Sequence, residues 1–120
     1  MLITQEKIKS LDMLEAKSRQ LVKEGKCVVL CHGTFDLIHT GHIRHLQEAK
    51  RQGDILFVTL TADKYVNKGP QRPVFNEVLR AEAIASLACV NFVAINTTQT
   101  AVNVIEKIKP NVYCKGPDYK

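Results

Sequence analysis

Residues 27–42 read Cys27-Val28-Val29-Leu30-Cys31-His32-Gly33-Thr34-Phe35-Asp36-Leu37-Ile38-His39-Thr40-Gly41-His42. The first five are apolar at every position, with no alternation that would set a wet face against a dry one. Such a strand is expected to be buried on both faces, as in the middle of a parallel sheet. Residues 32–40 contain Gly33, Thr34, Asp36 and Thr40 and read as a loop. A helix is expected from about Gly41 to Arg51, ending near Gly53.

Outward from this stretch the same unit recurs. Upstream, Ile8, Leu11, Leu14, Leu21 and Val22 recur at helical spacing, which predicts one helix over Thr4 to Gly25, with Gly25 placed to end it. Downstream, a strand is expected over Ile55–Thr61, and residues 67–76, with two prolines and a glycine, form a long loop. Asn76 is placed to cap a helix running to about Ala88, with Val78, Leu79, Ile84 and Leu87 as its apolar positions. A strand over Phe92–Ile95, a helix over Thr100–Lys109 stopped by Pro110, and a strand over Val112–Cys114 complete the series. Short apolar strands alternating with helices give an α/β fold: a Rossmann-like parallel sheet with helices on both faces and the first strand central. One domain over 1–120 is expected. Lys115 to Lys120 follow a strand with no helix after them, so the sheet is expected to be incomplete at its C-terminal end.

The apolar share of 45% and charged share of 24% are those of an ordinary globular chain. No apolar run approaches membrane-spanning length, and Met1 to Ser10 carry charge and no signal region, so the expectation is a cytoplasmic protein with no membrane partner. The four cysteines, Cys27, Cys31, Cys89 and Cys114, lack zinc-site spacing and read as small buried hydrophobes; no metal site is assigned. A net charge of +5 is compatible with a polyanionic small substrate such as a nucleoside triphosphate (NTP). Nucleic acid is set aside, because the basic residues are scattered and the aromatics number only 6% with no Trp.

Ligands of an open parallel sheet bind at the carboxyl ends of its strands, which here is residues 32–42. Gly33 allows close backbone approach. Gly41 stands at a helix start, where N–H groups and the helix dipole favour phosphate. His39 and His42 flank the Thr40-Gly41 pair, and two imidazoles there can donate to phosphate oxygens and stabilise charge growing on a pentacovalent phosphorus. His45, three residues on, reads as a packed surface residue.

Gly33-Thr34-Phe35-Asp36 followed by His39-Thr40-Gly41-His42 resembles the signature of the cytidylyltransferase-like nucleotidyltransferases, whose HxGH motif binds NTP phosphates. Lys26, Lys68-Gly69-Pro70 with Arg72-Pro73-Val74, Leu79-Arg80-Ala81-Glu82 and Lys115-Gly116-Pro117-Asp118-Tyr119 extend the resemblance over nearly the whole chain, toward the adenylyltransferase domains of ADP-heptose synthases. The first motif is also similar to that of glycerol-3-phosphate cytidylyltransferases, so ATP and CTP both stay open.

The resemblance implies roles. His39, His42 and the loop residue Lys68 would be catalytic. Gly33, Thr34, Phe35, Gly41, Arg80, Lys115, Gly116 and Asp118 would join the two histidines around the nucleotide. Asp36, Asp63 and Arg72 would border the acceptor, although Asp36 and Asp63 also read as turn and helix caps. Mg²⁺ would accompany the NTP. A homodimer is implied as well, and bifunctional relatives carry a fused sugar kinase of which these residues show nothing.

One departure stands out: the superfamily's second motif, Ser/Thr-rich with a basic residue beyond a fifth strand, has no counterpart here. A nucleotide-binding module without turnover is therefore the second reading. The first is in-line attack by an acceptor phosphate on the α-phosphorus, releasing pyrophosphate, with residues 67–74 closing over the phosphates through Lys68.

Overall fold

The computed structural model describes residues 3–66 and 73–115. Four strands, β1 (Val28–Gly33), β2 (Ile55–Thr61), β3 (Phe92–Asn96) and β4 (Val112–Lys115), form one parallel sheet in the order β3-β2-β1-β4. The first strand is interior, as its unbroken apolar run requires. Helices α3 (Thr40–Lys50) and α4 (Glu77–Ala85) cover one face, where Val29, Cys31, Leu56, Val58 and Val93 meet Leu46, Ala49, Ala81, Ile84 and Ala85. Helices α2 (Leu11–Lys23) and α5 (Ala101–Ile108) cover the other, where Val28, Leu30, Phe57 and Ala94 meet Leu14, Leu21, Val104 and Ile108. Alternate strand residues feed alternate cores, which is why both faces demanded apolar side chains. No helix among the described residues is long and apolar enough to cross a membrane.

Register is pinned at the amino edge by side chains rather than by strand contacts alone. Asp54 Oδ2 accepts the Cys27 N–H at 2.7 Å, Asn111 Oδ1 the Val28 N–H at 2.7 Å, and Asn91 Oδ1 the Leu56 N–H at 2.8 Å. Each polar residue stands just before a strand and satisfies an amide on its neighbour.

The long N-terminal helix is corrected. It breaks into α1 (Thr4–Lys7) and α2, because Ser10 caps α2 by accepting the Met13 N–H, while Ile8 is extended and bridges Val93. The Lys9 N–H donates to Val93 O at 2.8 Å, so these residues cover the outer edge of β3. The strand β1 is longer than expected by His32 and Gly33, which pair with Thr59 and Leu60. Helix α4 stops three residues short of Ala88; of its expected apolar positions Ile84 is buried and Leu87 packs on the core, but the other two are not buried. Val78 and Leu79 are 56% and 48% exposed, whereas Arg80 is 1% exposed.

Candidate active site

The chain leaves β1 at Gly33, turns through Thr34 to Ile38, and enters α3 at Thr40. Since β2 lies on one side of β1 and β4 on the other, this turn occupies the point where the strand order reverses. His39 is the N-cap of α3. Its Nδ1 accepts the Gly41 N–H at 3.0 Å, and His42 Nδ1 accepts the His39 N–H at 3.2 Å, a reciprocal capping box built from two imidazoles. Their ring centroids are 4.1 Å apart. With each Nδ1 accepting, the proton of each neutral ring sits at Nε2, so both rings carry their donor on the same type of atom. The Gly41 amide, expected to serve phosphate, is already taken by His39.

Behind the pair, Phe35 adopts φ +52, and its ring meets His42 edge-on at 5.7 Å between centroids. A Cβ at position 33 would lie 2.9 Å from Phe35 Cε2, so any side chain there would have to displace that ring. Thr34 faces inward through its carbonyl, which accepts Arg80 Nη1–H at 2.8 Å.

Arg80, which the resemblance places around the nucleotide, is a buried hub, 1% exposed. Its Nε–H donates to Phe75 O at 3.0 Å, Nη1 also donates to Thr61 O at 2.7 Å, and Nη2 donates to Asp63 Oδ1 at 2.7 Å. Four hydrogen bonds thus tie the ends of β1 and β2 and the approach to α4 into one frame. Asp63, placed by the sequence reading on the acceptor side, is the anion of this frame, and its amide N–H donates to Glu77 Oε1 at 2.9 Å. Asp36 is buried, and its carboxylate accepts the N–H groups of Val74 and Phe75. Phe35, Ile38, Phe75, Leu79 and Arg80 line a cavity of about 320 Å³ beside this frame.

Lys68, Arg72, Gly116 and Asp118, and with them the proposed closing loop, lie outside the described residues. Lys115 is exposed at the end of β4 and is the register partner of His32.

His45 is half-buried, with Nε2 4.0 Å from Cys31 Sγ, and burial holds its pKa below the ordinary 6.5. His32 was read as loop; it lies in the sheet, with Nδ1 2.9 Å from Thr59 Oγ1 and Nε2 3.4 Å from Thr61 Oγ1, and burial lowers its pKa too. The signal available was Thr59 and Thr61 in a strand otherwise apolar. Among the cysteines only Cys31 is fully buried; Cys27, Cys89 and Cys114 are half-buried. Burial, with Cys114 beside it, pushes the Cys31 thiol up to about 12, far from a nucleophile's range.

Known proteins resemble the chain in sequence and in fold. A family model described as cytidylyltransferase-like matches residues 30–120. The bifunctional protein HldE of Geotalea uraniireducens (strain Rf4) is 44% identical over 115 residues, covering 94% of this chain and 24% of that protein. The bifunctional protein HldE of a Nitratiruptor species is 40% identical over 119 residues, covering 98% of this chain and 26% of that protein. The chain therefore spans about a quarter of the length of these curated relatives. The fold is also similar to the crystal structure of the lipopolysaccharide core biosynthesis protein from Thermoplasma volcanium GSS1, with a TM-score of 0.68, 29% identity, and coverage of 74% of this chain and 73% of that one.

Proposed function

Since the chain belongs to the cytidylyltransferase-like nucleotidyltransferases, we propose that it moves a nucleoside monophosphate from an NTP, ATP by preference, onto a phosphorylated sugar such as heptose 1-phosphate, releasing pyrophosphate. The observation that carries this reading is the pair of imidazoles at the start of α3, locked together through their Nδ1 atoms at the carboxyl edge of the sheet.

In this mechanism an oxygen of the acceptor phosphate attacks the α-phosphorus in line. That oxygen is already anionic near neutral pH, so no strong general base is required. The pair His39 and His42 stabilises the charge that grows on the phosphoryl oxygens, and positioning supplies the rest. Backbone at Gly33, Thr34 and Phe35 borders the nucleotide, and Lys68, Arg72, Lys115, Gly116 and Asp118 keep the roles that the resemblance implies. Arg80, Asp36 and Asp63 enter as the frame that positions the turn.

Mg²⁺ would arrive with the triphosphate and neutralise its oxygens. The nearby carboxylates Asp36 and Asp63 are engaged by backbone amides and by Arg80, so substrate oxygens would hold the ion. The resemblance to ADP-heptose synthases supports the sugar phosphate. It also supports a cytoplasmic location, a homodimer and a fused kinase in the longer protein.

A panel of NTPs against sugar and polyol phosphates, with pyrophosphate release as the readout in the full-length protein, tests the proposal. Release with ATP and a heptose phosphate supports it. Release only with CTP and glycerol 3-phosphate moves the chain to the cytidylyltransferase alternative. Nucleotide binding without release under any pairing supports the non-catalytic module.

A further inference from the structure

The carboxyl end of the sheet holds an imidazole that the reaction above does not use. On β1, Val28 and Leu30 point to the face covered by α2 and α5, so His32, next in that alternation, points there too. Thr59 and Thr61 follow Phe57 onto the same face of β2. Their hydroxyls hold the ring from one flank, 2.9 Å from Nδ1 and 3.4 Å from Nε2. On the other flank stands Lys115, its register partner on β4. Desolvation keeps the ring neutral beside that lysine.

Both ring nitrogens are engaged, so a ligand meets neither a cation nor an open acceptor. What a half-buried ring so held can offer is a flat, uncharged surface. Its place at the end of β1, beside the point between β1 and β4 where the strand order reverses, is where a nucleotide enters an open sheet of this type.

We infer that His32, held by Thr59 and Thr61, is the platform on which the nucleoside of the NTP packs. The inference rests on the nucleotidyltransferase reading above. Stacking tolerates any base, so the platform contributes affinity for ATP and CTP alike and does not choose between them.

The test uses NTP saturation of pyrophosphate release, with calorimetric titration of ATP and CTP, on the full-length protein. His32→Ala raises NTP KM and Kd about tenfold, the scale of one lost base–aromatic stack. The kcat and the acceptor KM stay within about twofold, because ground-state nucleotide binding is what is lost. His32→Phe keeps the ring without its hydroxyl partners and retains affinity; His32→Asn keeps polarity without the ring and behaves like alanine. The Phe and Asn pair decides the matter if the alanine variant does not fold.

Rescue by Asn and not by Phe, an unchanged Kd in the alanine variant, or a defect confined to kcat overturns the inference. A wild-type protein that binds nucleotide without turnover overturns the reaction and leaves the titration to judge His32. A wild type that binds no nucleotide overturns both.

Discussion

Asp36 holds Val74 by both carboxylate oxygens, with the Val74 N–H 2.8 Å from Oδ1 and 3.0 Å from Oδ2. The Phe75 N–H joins at 3.1 Å from Oδ1. One buried carboxylate in the motif turn therefore anchors Val74 and Phe75 at the approach to α4. Charge-assisted bonds of this kind are stronger than neutral ones.

Asp36→Ala is expected to lower unfolding free energy by about 1.5–3 kcal/mol, the range for bonds to a charged group. It should also raise NTP KM, since the motif turn loses its tie to Val74 and Phe75. Urea denaturation with parallel saturation kinetics checks both effects. An unchanged midpoint would mean that the clamp contributes nothing.

The buried position of Arg80 separates two roles that a sequence cannot. A phosphate ligand, when replaced, costs activity and spares the fold. A buried hub costs the fold first. Arg80→Met should destabilise by on the order of 3 kcal/mol, because the carbonyls it serves and Asp63 lose their donor. Arg80→Lys should not rescue it, since an ammonium cannot reproduce the planar fork. Melting temperature measured beside kcat decides the point: a large loss of kcat at an unchanged melting temperature would restore the ligand role.

For the histidine pair, His42→Ala should lower kcat by about 10²–10³, the cost of one oxyanion-type donor, with little change in KM. Stability should fall as well, by about 0.5–1 kcal/mol, because the imidazole completes the capping box. His39→Ser keeps an N-cap acceptor while removing the Nε2 donor, so it should stay near wild-type stability and lose kcat. A His39→Ser enzyme with normal kcat would reduce the pair to a cap.

Acid should weaken the fold through His32 and His45, whose pKa values burial lowers from the ordinary 6.5. The unfolded chain takes up protons on these rings at a higher pH than the folded chain does. The stability tied to their neutral state is therefore complete above 6.5 and is lost as pH falls through the folded values. Melting temperature followed downward from neutral pH should decline below 6.5, and His32→Asn should flatten the decline. An identical slope in the variant would assign it to other groups.

Strand identity, the central place of Cys27–Cys31 and the pairing of His39 with His42 were all legible from local pattern. An apolar run with no alternation can be satisfied only between two helical layers, and two imidazoles three residues apart at a helix start must face each other. The helix break at Ile8 was not legible, because Ile8 and Leu11 keep helical spacing whether or not an edge strand stands ready to pair. Only the nearness of Val93 settles that competition. Arg80 is the same lesson in reverse. Its charge predicts exposure until the carbonyls of Thr34, Thr61 and Phe75 converge on one point, from three segments far apart in the chain. His32 likewise reads as loop until parallel pairing sets Thr59 beside it. Periodicity is a property of neighbours along the chain and can be read there. Whether a polar group is buried depends on partners that only folding brings within reach.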